Sequence, residues 1–210
     1  MAASSSFCWK ASCRRSPPIP ALLGLVCALV VSPGSVGAEP LPERVAPCLS
    51  CHGEAGTSQF PKVPSLGGQP ADFLLIQLYQ FREKQRIAEP MNELTKDLTD
   101  DDLRTFSDYI AKLPPPLPPP VGGDPAKVEQ GRAAAQVHRC GLCHNPDMSG
   151  HDQIGRIAAQ REDYLLKALR EYKTGERRGY DPAMVDVARG IPDDDLVAIA
   201  HYLAFWRGGP

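Results

Sequence analysis

Apolar positions along this chain recur at helical spacing, and no run alternates as a half-buried strand would. Leu74, Leu78 and Phe81 fall four and then three residues apart, and Leu165, Leu169 and Tyr172 repeat the same steps. Each set predicts one amphipathic helix with its apolar face turned to a core. Leu103, Phe106, Ile110 and Leu113 line one face of a further helix, with Thr99 placed to cap it and acids through Asp102 at the positive end of its dipole. A matching segment starts near Pro192, a residue tolerated at the first helical position, and carries Asp193 to Asp195 ahead of Leu196, Ile199 and Leu203. The expected class is all-α.

These segments come in pairs. Laid on itself, the chain brings Gln69 onto Gln160, Phe73-Leu74 onto Tyr164-Leu165, Phe81 onto Tyr172, and Leu103 and Tyr109 onto Leu196 and Tyr202, with an offset that drifts only from 91 to 93. Such a repeat is an internal duplication. Between the copies, residues 114–123 are mostly proline, which excludes helix and central strand and predicts an extended, semi-rigid connector. A Pro-x-x-Pro ligand for a partner domain is the competing reading. The expected domains are residues 39–113 and 124–210. At about 75 to 87 residues apiece, a protein core alone is marginal, so each copy calls for added apolar mass.

The candidate chemistry supplies it. Cys48-Leu49-Ser50-Cys51-His52 and Cys140-Gly141-Leu142-Cys143-His144 are two complete C-x-x-C-H motifs, 92 residues apart. Two thiols on one helical turn can each add to a vinyl group of one porphyrin, and the adjacent histidine then reaches the iron as proximal ligand. The expectation is two covalently bound haem c groups. A zinc ribbon would want its second cysteine pair closer, and a redox C-x-x-C does not need the histidine. A haem that only carries electrons has both axial positions filled. Met91 follows His52 by 39 residues and Met184 follows His144 by 40, each in a proline-containing stretch where an irregular loop can cross the distal face. These are the expected sixth ligands. Met148 is the rival in the second copy but lies only four residues beyond His144, which assigns it to packing or surface. His138, His151 and His201 are alternative nitrogen ligands without a counterpart in the first copy, and His201 aligns with Asp108 on what reads as a solvated helical face. Thioether ligation favours Fe(II), so His/Met coordination implies electron transfer at fairly high potential.

The first 38 residues read as a signal peptide, with Lys10, Arg14 and Arg15 ahead of an apolar Ala21 to Val31 too short to span a bilayer, and small residues at Val36-Gly37-Ala38. Haem attachment after export of an unfolded chain favours the Sec route, cleavage near Ala38 and a periplasmic location. Cys8, Cys13 and Cys27 leave with the leader, so the four remaining of seven cysteines are all in the haem motifs. The remaining chain holds 20 basic and 25 acidic residues, a formal charge of −5 that argues against a nucleic-acid partner. The excess acid sits mainly in residues 39–113, at −4 against −1 for 124–210, which would orient the molecule toward a basic redox partner.

With these motifs the chain resembles the dihaem cytochromes c4 over essentially the whole segment after the leader. The resemblance rests on Cys48, Cys51, His52 and Met91, on Cys140, Cys143, His144 and Met184, and on the repeated Gln69 and Gln160. It implies two tandem class I cytochrome c domains related by a pseudo-twofold axis, acting as a periplasmic electron carrier. The implied partners are redox proteins such as a terminal oxidase, cytochrome bc1 or a dehydrogenase, with peripheral membrane association open. A cytochrome subunit of a dehydrogenase, such as a sulfide-oxidising flavocytochrome, and a dihaem peroxidase are the alternatives. The peroxidase needs one open iron, which two matched methionines argue against. In such domains the proximal histidine donates to a proline carbonyl, a place matched by Pro64 in the first copy and by Gly155 in the second. The freer glycine backbone predicts that Gly155→Pro would be modestly stabilising. Arg82, Lys84, Arg86, Arg177 and Arg178 are candidate partners of haem propionates, an exposed basic turn being the competing reading.

Overall fold

The computed structural model describes residues 39–177 and 182–208. The signal-peptide reading of residues 1–38 and the role of Arg178 lie outside the described residues. Within them the chain is helical, with no strand longer than a single bridge pairing His151 and Ile154. The first half holds α1 (Leu41–His52), α2 (Ala71–Arg82), α3 (Met91–Thr95) and α4 (Asp100–Ala111). The second holds α5 (Pro125–Val137), α6 (Gly141–His144), α7 (Glu162–Thr174), α8 (Ala183–Arg189) and α9 (Asp193–Ala204).

The two halves are the same arrangement written twice. In each, a central helix packs on the closing helix, α2 on α4 and α7 on α9, and a short helix follows the central one. Val45, Leu49, Leu74, Phe106 and Ile110 form the first core, while the second gathers Leu165, Leu169, Ile191, Leu196, Ile199 and Leu203 with Ala134 and Ala135. Thr99 caps α4 in a reciprocal box, its hydroxyl accepting from the Asp102 N–H (3.2 Å) while its own N–H donates to the Asp102 carboxylate (2.9 Å). Leu113 falls beyond the end of α4, so that helix is shorter than its apolar pattern. In the second half α5 crosses α9 at Gly131, where a Cβ would stand 2.0 Å from the Ala198 carbonyl oxygen. Only glycine permits that approach.

Residues 114–119 form neither helix nor strand, and both ends of the connector are tied down. The Leu113 carbonyl accepts from Gly68 N–H (2.9 Å), and Arg207 donates to the carbonyls of Pro119 (2.5 Å) and Pro120 (3.2 Å). His201 corrects the expectation of a solvated side chain. It is only 6 % exposed, its Nε2 accepting from the Asp124 N–H (3.0 Å) while Nδ1 faces the Glu162 carboxylate (3.2 Å). The connector ends there, and burial follows from a partner that the first copy lacks.

Hydrogen bonds join the halves directly. Lys62 N–H donates to the Asp163 carboxylate (2.9 Å), Arg161 to the Ser58 carbonyl (3.2 Å) and Arg177 to the Gln77 amide oxygen (3.2 Å). The ring of Phe73 lies against Gly155, where a Cβ would come within 2.9 Å of it.

Candidate haem site

Both C-x-x-C-H motifs end a helix on their histidine. His52 is the last residue of α1 and His144 of α6, and in each case the chain turns away at once with positive φ, at Gly53 (90°) and Asn145 (64°). The turn brings back a loop whose carbonyl meets the imidazole. His52 Nδ1 bonds to the Pro64 carbonyl at 2.8 Å and His144 Nδ1 to the Gly155 carbonyl at 2.7 Å. Glycine thus serves as acceptor where the first half uses proline. Burial pushes both imidazoles below the ordinary histidine range, against the opposing effect of these hydrogen bonds. Each ring is held neutral with Nδ1 donating, which leaves Nε2 as a lone-pair donor.

Cys48 and Cys140 are half-buried and Cys51 and Cys143 exposed. Burial pushes the Cys48 thiol up and lifts Cys140 to about 11. Among the described residues no three His, Cys, Asp or Glu side chains gather to hold an ion.

Met91 and Met184 are both half-buried. Each opens a short helix rather than lying in the irregular loop expected from the sequence: Met91 is the first residue of α3 and Met184 the second of α8. Met184 and Cys140 line the same apolar cluster. Met91 is not part of the first cluster, whose margin is formed by Leu66, Leu78 and Leu98 beside Cys48. Met148 is buried in the second core and acts as packing. Among the alternative nitrogen ligands, His138 bonds to Asp195 (3.1 Å), His151 faces Asp152 (3.0 Å) in solvent, and both ring nitrogens of His201 are engaged.

The basic residues divide. Arg82 pairs with Glu83 (2.9 Å) and Asp100 (2.8 Å), and Lys84 is exposed. Arg86 and Arg177 are 7 % and 5 % exposed, which rules out an exposed basic turn for these two. Arg86 lies over the Phe81 ring and Arg177 over Tyr172, its repeat equivalent, and both donate to the Gln77 amide oxygen, at 2.5 and 3.2 Å. Among the described residues neither forms an ion pair with a carboxylate. Burial resists ionisation of the Tyr164 phenol beside them, but the two guanidinium charges bring it down to about 8. Arg156 Nε is also buried without a partner. Buried cations of this kind call for buried anions, and haem propionates are anions of the right class. The donor set therefore fits haem. When bound, haem supplies the reversible one-electron couple. The chain's part is to hold it, orient its ligands and exclude water.

The sequence marks Gln69, Gln160 and Tyr164 as repeat landmarks without giving them a task, and nothing in it singles out Gln77. Each has a partner in the opposite half, out of reach of any local pattern.

No family model matches the chain. It is 30% identical over 174 residues to a thiosulfate dehydrogenase electron acceptor of Thiomonas intermedia, covering 78% of this chain and 80% of that one. It is 29% identical over 168 residues to cytochrome c4 of Thiocapsa roseopersicina, covering 74% and 85%. The crystal structure of reduced recombinant cytochrome c4 from Pseudomonas stutzeri superposes with a TM-score of 0.72 at 25% identity, over 79% of this chain and 96% of that one. The chain belongs to the dihaem cytochrome c4 family. As a cytochrome c4 relative it is an electron-transfer protein that binds haem c, built of two tandem class I cytochrome c domains. No described helix is long and apolar enough to cross a membrane.

Proposed function

We propose that the chain carries two haem c groups, one on Cys48 and Cys51 with His52 and Met91 as axial ligands, the other on Cys140 and Cys143 with His144 and Met184. Residues 39–113 and 124–210 form the two haem domains, with 114–123 as connector. Export by the Sec route, cleavage near Ala38 and a periplasmic site of action belong to the same reading. The protein is a carrier with no substrate chemistry of its own. It takes electrons from a dehydrogenase and delivers them toward a terminal oxidase.

The observation that supports this most strongly is the repeated proximal arrangement. Two neutral histidines, His52 buried and His144 half-buried, each end a C-x-x-C-H helix and donate Nδ1–H to equivalent carbonyls. The likeness to a thiosulfate dehydrogenase electron acceptor favours a second reading of the partner, in which the chain is the dedicated acceptor of one dehydrogenase. Stopped-flow reduction by a purified thiosulfate dehydrogenase separates the two, since a dedicated acceptor is reduced far faster by its own enzyme than by unrelated donors.

The ligands are tested by substitution. Met91→Ala and Met184→Ala should each remove about half of the weak ferric charge-transfer band that thioether ligation produces. If Met184→Ala left the band intact while Met148→Ala halved it, the assignment in the second domain would be wrong.

A further inference from the structure

Gln69 and Gln160 are buried, and each reaches out of its own half. Gln160 Oε1 accepts from the Ser65 N–H (2.9 Å) and its Nε2 donates to the Ser65 carbonyl (2.8 Å). Gln69 does the same at Arg156, Oε1 accepting from the N–H (2.9 Å) and Nε2 donating to the carbonyl (2.9 Å). The two clamps are reciprocal, as a pseudo-twofold relation requires.

What matters is the peptide group that each one grips. The Pro64–Ser65 peptide presents its carbonyl to His52 Nδ1 and its N–H to Gln160. The Gly155–Arg156 peptide presents its carbonyl to His144 Nδ1 and its N–H to Gln69. A peptide is planar, so holding the N–H fixes the direction of the carbonyl on its other side. Accepting from the N–H also polarises the amide and makes its carbonyl a better acceptor. A stronger acceptor at Nδ1 makes the imidazole a more basic ligand, which favours Fe(III) and lowers the reduction potential.

We infer that Gln69 and Gln160 are positioning residues that act across the interface, each setting the proximal hydrogen bond, and so the reduction potential, of the haem carried by the other half. The inference rests on His52 and His144 being the proximal ligands. Packing alone would not pair each glutamine with the one peptide that faces the other half's histidine.

The test uses the full-length holoprotein in anaerobic redox titration. Paramagnetic NMR assigns each midpoint to its haem through that haem's own thioether and histidine signals. Gln160→Leu should raise the midpoint of the haem on Cys48 and Cys51 and leave the other unmoved, and Gln69→Leu should do the converse. Gln160→Glu keeps an acceptor for the Ser65 N–H and should not raise that midpoint. Should Gln160→Leu fail to accumulate, Gln160→Asn, one methylene too short, takes its place with the same expected sign. If a glutamine variant with an intact low-spin spectrum shifts the haem of its own half, both haems equally, or neither, the cross-domain role is overturned and the ligand assignment stands. If the wild-type protein holds no haem through His52 and His144, the proximal assignment fails and takes the inference with it.

Discussion

At Gly155 a missing side chain is a packing requirement set by the other half of the molecule. The Phe73 ring occupies the space that a Cβ would need, at 2.9 Å, so the freer backbone read from sequence is not the reason for glycine there. The expected gain from Gly155→Pro therefore reverses. The substitution should cost about 1–3 kcal/mol through overpacking, and adding Phe73→Ala to the same chain should recover part of the loss. Denaturant unfolding of the single and double variants checks this, and an unchanged or raised stability for Gly155→Pro alone would contradict it. His201 teaches the same lesson. Its polar helical position was legible, but burial by Glu162 and the Asp124 N–H was not, because neither lies near it in sequence.

At the level of elements, the pattern of apolar residues placed the central and closing helices correctly, because each buries one face on its own half. The cap of α4 was legible too, being a local bond between Thr99 and Asp102. Thr99→Ala should cost about 1 kcal/mol near neutral pH. Thr99, through its hydroxyl and then its N–H, and Arg44 hold the Asp102 carboxyl below its ordinary value of 3.8. A group whose pKa is lowered on folding contributes stability above the unfolded value and loses it as pH falls through the folded one. The deficit of Thr99→Ala should accordingly be full at neutral pH and shrink below about pH 4, and a deficit that stayed constant in unfolding experiments from neutral to acid would sink this reading. The α5–α9 crossing was not legible, since a lone glycine in a helix has no pattern. Gly131→Ala should cost about 3 kcal/mol, because its Cβ meets backbone rather than a movable side chain. The short helices bearing Met91 and Met184 are not legible in the sequence for a related reason: five and seven residues are too few to show a period.

For the whole molecule, the duplication and the two C-x-x-C-H motifs were enough to read a two-domain haem protein from sequence, and kinship with the cytochromes c4 agrees with it. What lay beyond reach was the seam between the halves. Its parts are scattered in sequence: a glutamine clamp in each direction, two buried guanidinium groups on one amide oxygen, and an aromatic ring over a glycine. Each includes a contact between residues roughly a domain's length apart in sequence. The central claim is that both irons are closed, six-coordinate and used only to pass electrons. The most direct test is a reductive titration of the purified protein under anaerobic conditions, followed by absorbance and then exposed to carbon monoxide. Two electrons taken up per chain, low-spin spectra in both oxidation states and no carbon monoxide adduct are the predicted result. Uptake of a single electron, or a reduced centre that binds carbon monoxide, would contradict it.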